Sequence, residues 1–183
     1  MLNLPSPPDV WQRCFLALAP DAATRDALSA LAVPPSARRV LHAQLHLTVA
    51  FIGVLSAGQG EALIRRLGAS VCAFPPAGVE RIECWPDREH PRLMVAAFAM
   101  SAAFVELDAR VRSSMIGLGL GIDGRALRPH ITLARFGRRT EAVGLSGEAG
   151  ALPSVRFESL VLYSSTLARR GARYEALASV PLG

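Results

Sequence analysis

The stretch LHLTV at residues 45–49 returns later in the chain as PHITL at residues 129–133. Each copy has a threonine two positions after a histidine, and apolar residues fill the positions between and after them. Because residues i and i+2 of a strand point to the same face, each copy predicts a strand with an imidazole and a hydroxyl side by side on one face and a core on the other. The four polar side chains are His46, Thr48, His130 and Thr132.

A single His-x-Thr on a strand is more often an ordinary hydrogen-bonded pair than a reactive one. Two copies in matching contexts are uncommon in a chain with four histidines, and they indicate a quasi-duplicated chain. An internal pseudo-twofold would bring the two strands together across a cleft and turn the imidazoles toward one another. We therefore expect the two motifs to form one site.

Apolar runs and turn residues around the motifs predict the other elements. Ser56 and Ser101 are expected N-caps, and the Gly-rich stretch at 117–124 is expected to be a turn after a helix rather than a phosphate loop. Paired strands without strict alternation with helices predict an α+β fold. We expect strands over residues 13–19, 45–53, 79–85, 92–99, 130–136, 155–165 and 174–180, helices over 22–31, 56–72 and 101–118, and a polar connection over 137–153.

Composition and charge restrict the class of protein. The chain has 183 residues, 51% of them hydrophobic, and we expect a soluble protein with no membrane span or secretory signal. Its basic residues are all arginine and the net charge is +5, which favours a small anion or a short nucleic acid as partner. Three widely spaced cysteines argue against a disulfide framework and against a cysteine zinc site, so we expect a cytoplasmic location.

Two facing histidines suit acid–base chemistry near neutral pH, since one imidazole can accept a proton while the other donates one. Threonine hydroxyls can donate hydrogen bonds to phosphoryl oxygens. Metal binding is the alternative, because His42 lies four residues before His46, but a strand would separate these two side chains. We expect no metal and no cofactor.

The paired motifs resemble those of the 2H phosphoesterase superfamily, and within it those of the RNA 2′,3′-cyclic phosphodiesterases, also called 2′-5′ RNA ligases. The resemblance extends over RCFLALAP, LHLTVAFIG, RPHITLAR and SLVLYSSTLARRGARYEAL. It implies a bilobed fold of two pseudo-symmetric lobes, each an antiparallel sheet with helices, around a central cleft. Residues 1–183 would form one such domain, with residues 1–10 as a disordered lead.

The resemblance also implies roles for particular residues. His46 would donate a proton to the leaving 3′ oxygen, His130 would accept one from water, and Thr48 and Thr132 would hold the phosphate. Arg135 matches a basic position that lies near the phosphate in this family. The stretch VLHAQ before the first motif lacks the prolines and the acidic residue common in the family, which leaves substrate preference open.

The residues alone leave several other assignments open. Arg135 follows His130 at an odd offset, so it can reach the same face only if the strand has ended or bulged. Arg92 and Arg128 are surface charges or phosphate ligands, and Trp85 and Tyr163 pack in the half-buried layer or stack a base. We expect Phe51 in the core and His90 on the surface.

We therefore expect a monomeric, metal-independent enzyme that hydrolyses RNA 2′,3′-cyclic phosphodiester ends to 2′-phosphomonoesters. One alternative is a related enzyme acting on another small cyclic or 2′-5′ linked nucleotide. The other is a nucleotide- or RNA-binding module without turnover, which would have no reason to keep all four motif residues.

Overall fold

The computed structural model describes residues 10–71, 73–137, 140, 152–168 and 171–183. Eight strands and three helices alternate irregularly along this part of the chain, as an α+β fold requires. The strands are β1 Val10–Pro20, β2 Ala37–Arg39, β3 Leu47–Ser56, β4 Arg81–Trp85, β5 Leu93–Ala97, β6 His130–Phe136, β7 Phe157–Ala168 and β8 Gly171–Pro181. The helices are α1 Ala22–Ala30, α2 Ala57–Gly68 and α3 Ala102–Ile116, and a 3₁₀ turn covers His42–Gln44.

The described strands form one antiparallel sheet in the order β4-β5-β6-β3-β1-β7-β8, with β2 paired to β6. The two strands that carry the motifs, β3 and β6, are neighbours in the middle of this sheet. They divide it into a lobe of β3, β1, β7 and β8 and a lobe of β6, β5, β4 and β2. The α+β, bilobed prediction is confirmed.

The helices begin where the sequence predicts. Asp21 accepts a hydrogen bond from the Thr24 amide, and Ser101 accepts one from the Phe104 amide. At α2, Ser56 and Gln59 form a reciprocal capping box, which satisfies two main-chain N–H groups that the first turn leaves without partners.

One hydrophobic core lies under one face of the sheet, and α2 and α3 close it by packing against β3, β8 and each other. The apolar stripe of α3 is buried there with the leucines of α2. From the motif strands, the residues between and after the histidine and threonine enter the same core: Leu47, Val49, Ile131 and Leu133. The motif histidines and threonines therefore lie on the opposite face, away from the helices.

Several predicted boundaries are wrong in ways that follow from local geometry. The second strand begins at Leu47 rather than 45, because a 3₁₀ turn occupies the preceding residues. Helix α2 ends at Gly68, and the chain turns at Ala69 and Ser70 before the proline pair that was expected to end the helix. Strand β2 was not predicted, since three residues are too few to show a period.

Some predictions fall outside the described residues. They concern residues 1–9 of the lead, Cys72 at the predicted end of α2, and most of the connection 137–153. In the described part of the chain, no helix is both long enough and apolar enough to cross a membrane.

Candidate active site

The two motifs meet through a single registered pair of residues, Leu47 and Ile131, on antiparallel neighbours β3 and β6. A local twofold axis passes through such a pair, so it relates each histidine to the other and each threonine to the other. The same register puts His46 across from Thr132 and Thr48 across from His130. All four side chains are partly exposed and line one cavity, so the structure brings the two motifs together as a shared site requires.

A bulge follows the threonine in both strands. On β3, Thr48 pairs with one residue of β1 and Ala50 with the next, which leaves Val49 without a partner. On β6 the same shift leaves Leu133 without a partner between Thr132 and Ala134. The pseudo-symmetry therefore extends to a matching irregularity of the backbone.

These bulges change which side chains reach the site. An extra residue reverses the alternation of faces, so the residue five positions after each histidine points to the same face as that histidine. On β6 this residue is Arg135, which lines the cavity. Arg135 follows His130 at an odd offset and still lies on the same face, because the bulge at Leu133 reverses the alternation of faces.

On β3 the equivalent residue is Phe51, and its predicted place in the core is wrong. Its side chain is 60% exposed and lines the same cavity, because the bulge at Val49 turns it away from the core. The two halves of the site therefore differ at equivalent positions, with an aromatic ring on the His46 side and a guanidinium on the His130 side.

His46 is held in an aromatic environment. Its Nδ1 donates a hydrogen bond to the main-chain oxygen of Gln44 at 2.7 Å, which leaves Nε2 as the nitrogen that can exchange a proton. The ring centroids of Phe15 and Tyr174 lie 5.2 and 5.1 Å from the centroid of the imidazole, and the ring centroid of Tyr163 lies 6.1 Å from it. Burial lowers the pKa of His46 to about 4, and the nearby Arg135 and His130 add to that effect.

His130 has the same main-chain contact and a different side-chain neighbour. Its Nδ1 donates to the oxygen of Arg128 at 2.7 Å, and the indole of Trp85 lies 4.5 Å from the imidazole. Trp85 in turn donates from Nε1 to Glu83 Oε1 at 2.6 Å and carries the Arg128 guanidinium 4.0 Å above its ring. Burial lowers the pKa of His130, and the charges of Arg128 and Arg135 lower it further.

The cavity, which we call the cleft, has a volume of about 1000 Å³ and a strongly cationic lining. This volume is at the upper end of the roughly 300–1,000 Å³ of ordinary ligand pockets. Among the described residues its wall has one carboxylate, Asp123, and six arginines: Arg13, Arg38, Arg112, Arg125, Arg128 and Arg135. Such a wall attracts anions.

The remaining candidates from the sequence lie elsewhere. Arg92 is exposed, does not line the cleft and donates to the Gly137 oxygen, while His90 is on the surface. Tyr163 belongs to the aromatic cluster around His46, and His42 pairs with Asp26 at 2.8 Å instead of turning to His46. Within the described ranges, no three His, Cys, Asp or Glu side chains come together as metal ligands would.

Sequence reasoning missed Arg13, Arg38 and the supporting contacts of the imidazoles. The internal repeat gives no signal for Arg13, because Phe15 occupies beside β3 the place that Leu93 occupies beside β6, and the counterpart of Arg13 is then Pro91. No alternation pattern shows Arg38, since it lies on a strand of three residues.

No protein-family model matches the chain, but a curated protein and several solved structures are similar to it. A curated protein of Geobacillus stearothermophilus, named RNA 2′,3′-cyclic phosphodiesterase, is 28% identical over 144 residues, which are 75% of this chain. The match spans 45% of that relative, so it covers less than half of its length.

Two solved structures match nearly end to end. The crystal structure of E. coli LigT complexed with 3′-AMP is similar with a TM-score of 0.75 and 27% identity, over 94% of this chain and 98% of LigT. The structure of TT0787 from Thermus thermophilus is similar with a TM-score of 0.73 and 28% identity, over 93% and 97% of the two chains. A pseudo-twofold sheet joined at the two motif strands and relatives of this kind support placing the chain in the 2H phosphoesterase superfamily.

Proposed function

We propose that this protein hydrolyses RNA 2′,3′-cyclic phosphodiester ends to 2′-phosphomonoesters by acid–base catalysis with His46 and His130, without a metal. We propose it for residues 1–183 acting as one bilobed domain. The observation that carries the proposal is the register of Leu47 with Ile131, which sets two imidazoles and two hydroxyls on one face of a cationic cleft. The name of the G. stearothermophilus relative supports the same substrate class.

In the proposed reaction a water molecule attacks phosphorus in line with the bond to the 3′ oxygen. Nε2 of His130 accepts the proton of the water, and Nε2 of His46 donates its proton to the 3′ oxygen as the P–O3′ bond breaks. The hydroxyls of Thr48 and Thr132 donate hydrogen bonds to the non-bridging oxygens, and Arg135 offsets their negative charge. The 2′ ester remains, and the two histidines have exchanged protonation states.

The chemical difference between the two halves supports this assignment of donor and acceptor. The leaving 3′ oxygen belongs to the ribose, so the nucleoside must lie on the side of the proton donor, with the water opposite. The His46 side presents Phe51 and Leu167, which suit a nucleobase. On the His130 side the guanidinium of Arg128 lies over the Trp85 ring, and Arg135 adds a second charge. A nucleoside on the apolar side places its 3′ oxygen next to His46.

The test is an assay of the purified protein in EDTA with a nucleoside 2′,3′-cyclic phosphate and with a short RNA that ends in one. We expect only 2′-phosphate products, and a loss of kcat of about 10²–10⁴-fold in His46→Ala and in His130→Ala. Product formed as 3′-phosphate, or activity retained in either variant, contradicts the mechanism.

The same assay separates the alternatives. Turnover of a 2′-5′ linked nucleotide but of neither cyclic substrate would indicate another reaction of the superfamily. Tight nucleotide binding by folded protein without turnover of any substrate would indicate a binding module.

A further inference from the structure

Arg13 has an unusual backbone for its residue type. Its φ is 52°, and it is the one non-glycine residue with a positive φ in the described part of the chain. Side chains with a Cβ avoid this region, and residues held there against their preference cluster at ligand-binding and active sites. The conformation therefore calls for an explanation in terms of what the side chain does.

The strand around Arg13 is irregular on both sides. The pairing of β1 with β3 shifts register between Trp11 and Cys14 and again between Cys14 and Phe15. Opposite Cys14 lies Gly53, which also has a positive φ, of 93°. The two irregularities occur together and reshape this end of the β1–β3 pair.

Arg13, within this irregular stretch, reaches the cleft. Arg13 lines the cleft next to Phe15, whose ring packs against His46 and Phe51, while Cys14 between them is buried in the core. Arg13 is therefore a cation on the apolar, Phe51 side of the cleft. Every other arginine of the cleft wall except Arg38 lies on β6, on α3 or in the loop between them.

The charge of Arg13 is available to a ligand. The Arg112 guanidinium pairs with Asp108 at 2.8 Å, and that of Arg125 pairs with Asp123 at 2.6 Å. Arg13, in contrast, forms no ion pair with any residue that the structure describes. A guanidinium without a carboxylate suits the oxygens of a phosphodiester.

We propose that Arg13 binds the phosphodiester on the 5′ side of the terminal nucleotide, so that the enzyme prefers the end of an RNA chain to a free nucleoside 2′,3′-cyclic phosphate. The inference rests on the proposed function, which puts the terminal nucleoside against Phe51. A free nucleoside cyclic phosphate has no phosphate at its 5′ oxygen and leaves Arg13 unused. An oligonucleotide has one there, on the side of the cleft where Arg13 lies.

The test compares kcat/KM for a nucleoside 2′,3′-cyclic phosphate with kcat/KM for a tetranucleotide ending in one. We expect the wild type to prefer the tetranucleotide by at least about tenfold, the factor that one charge-assisted contact supplies. Arg13→Asn tolerates a positive φ but has no charge, so it should lower this preference, mainly through KM, without loss of thermal stability. Arg13→Lys keeps the charge and should restore part of the preference.

Arg65→Gln is the matched control, because Arg65 is an exposed arginine on α2, on the face of the sheet away from the cleft. It should leave both rates unchanged. If the wild type hydrolyses both substrates equally well, or if Arg13→Asn slows both equally, the inference is overturned and the proposed function stands. If the wild type hydrolyses neither substrate, both are overturned.

Discussion

His46 and His130 each donate from Nδ1 to the main-chain oxygen two residues earlier, Gln44 for one and Arg128 for the other. A carbonyl oxygen only accepts, so this contact fixes the tautomer and leaves Nε2 of each ring facing the cleft. The side-chain neighbours differ, with aromatic rings around His46 and an indole under a guanidinium beside His130. We expect these different neighbours to affect the pH dependence of the reaction and its rate.

The pH dependence of the reaction should change when substrate binds. Burial lowers the pKa of His46 to about 4 and lowers that of His130 from 6.5, so we expect kcat/KM, which reports the free enzyme, to reach its maximum below pH 6.5. A bound phosphodiester anion favours the protonated imidazole and raises the pKa of His46. The alkaline limb of kcat should therefore lie at higher pH than that of kcat/KM, and coincident limbs would show that the bound phosphodiester does not raise the pKa of the imidazole that must be protonated.

Trp85 should act on the rate through His130. Its indole packs against the imidazole and is itself held by Glu83 and Arg128, so Trp85→Ala should let the imidazole turn. We expect kcat to fall by up to about 100-fold with little change in KM, while Trp85→Phe keeps most of the rate. Removal of the indole should also raise the pKa of His130 in an NMR titration, because burial is what lowers it.

His90→Ala is the control for Trp85, since His90 is an exposed residue of the loop that follows β4. It should leave kcat and the titration of His130 unchanged. A loss of rate in Trp85→Ala that is matched by lower thermal stability, with the His130 pKa unmoved, would show that Trp85 only supports the fold.

Helix α2 packs against β1 through Gly60, where any side chain would collide with that of Trp11. A Cβ at Gly60 would overlap the indole of Trp11, whereas a Cβ at Gly58 of the same helix would meet nothing within 4 Å. Alanine has the higher helix propensity by about 1 kcal/mol, so Gly58→Ala should be neutral or stabilising. Gly60→Ala should destabilise the protein because the clash exceeds that gain.

Urea unfolding of the two glycine variants checks this expectation. The pair has its own control, because the chemical change is identical and only the neighbouring atoms differ. Equal stabilisation by both substitutions would show that α2 does not pack tightly on Trp11.

The stability of the whole molecule should fall on acidification because of His46. Its pKa is about 4 in the folded chain and close to 6.5 in the unfolded chain, so between these values the unfolded state binds more protons. Stability should therefore decrease as the pH falls from 6.5 to 4, by on the order of 3 kcal/mol from this group.

His46→Gln removes the titrating group and keeps a donor for the Gln44 oxygen. We expect this variant to lose less stability than the wild type over the same range, as measured by urea unfolding at several pH values. If the free energy of unfolding falls equally with pH in the two proteins, protonation of His46 does not destabilise the folded state. The imidazole is then more solvated than its aromatic neighbours suggest.

The sequence alone determined most of the helices and strands, apart from β2 and several boundaries, and it singled out the four motif residues. Alternation of apolar and polar residues is a local property of a strand, and helix caps are local hydrogen bonds, so Ser56, Ser101 and the faces of 45–49 and 129–133 could be predicted. The presence of two matching motifs also pointed to one shared site.

The tertiary structure alone decided what surrounds that site. The bulges at Val49 and Leu133 appear only when the strands pair with β1 and β5, and they turn Phe51 out of the core and Arg135 into the cleft. The strained backbone of Arg13 and the contact of Trp85 with His130 likewise depend on partners distant in sequence. Register and contact are properties of paired strands, and no single stretch of sequence carries them.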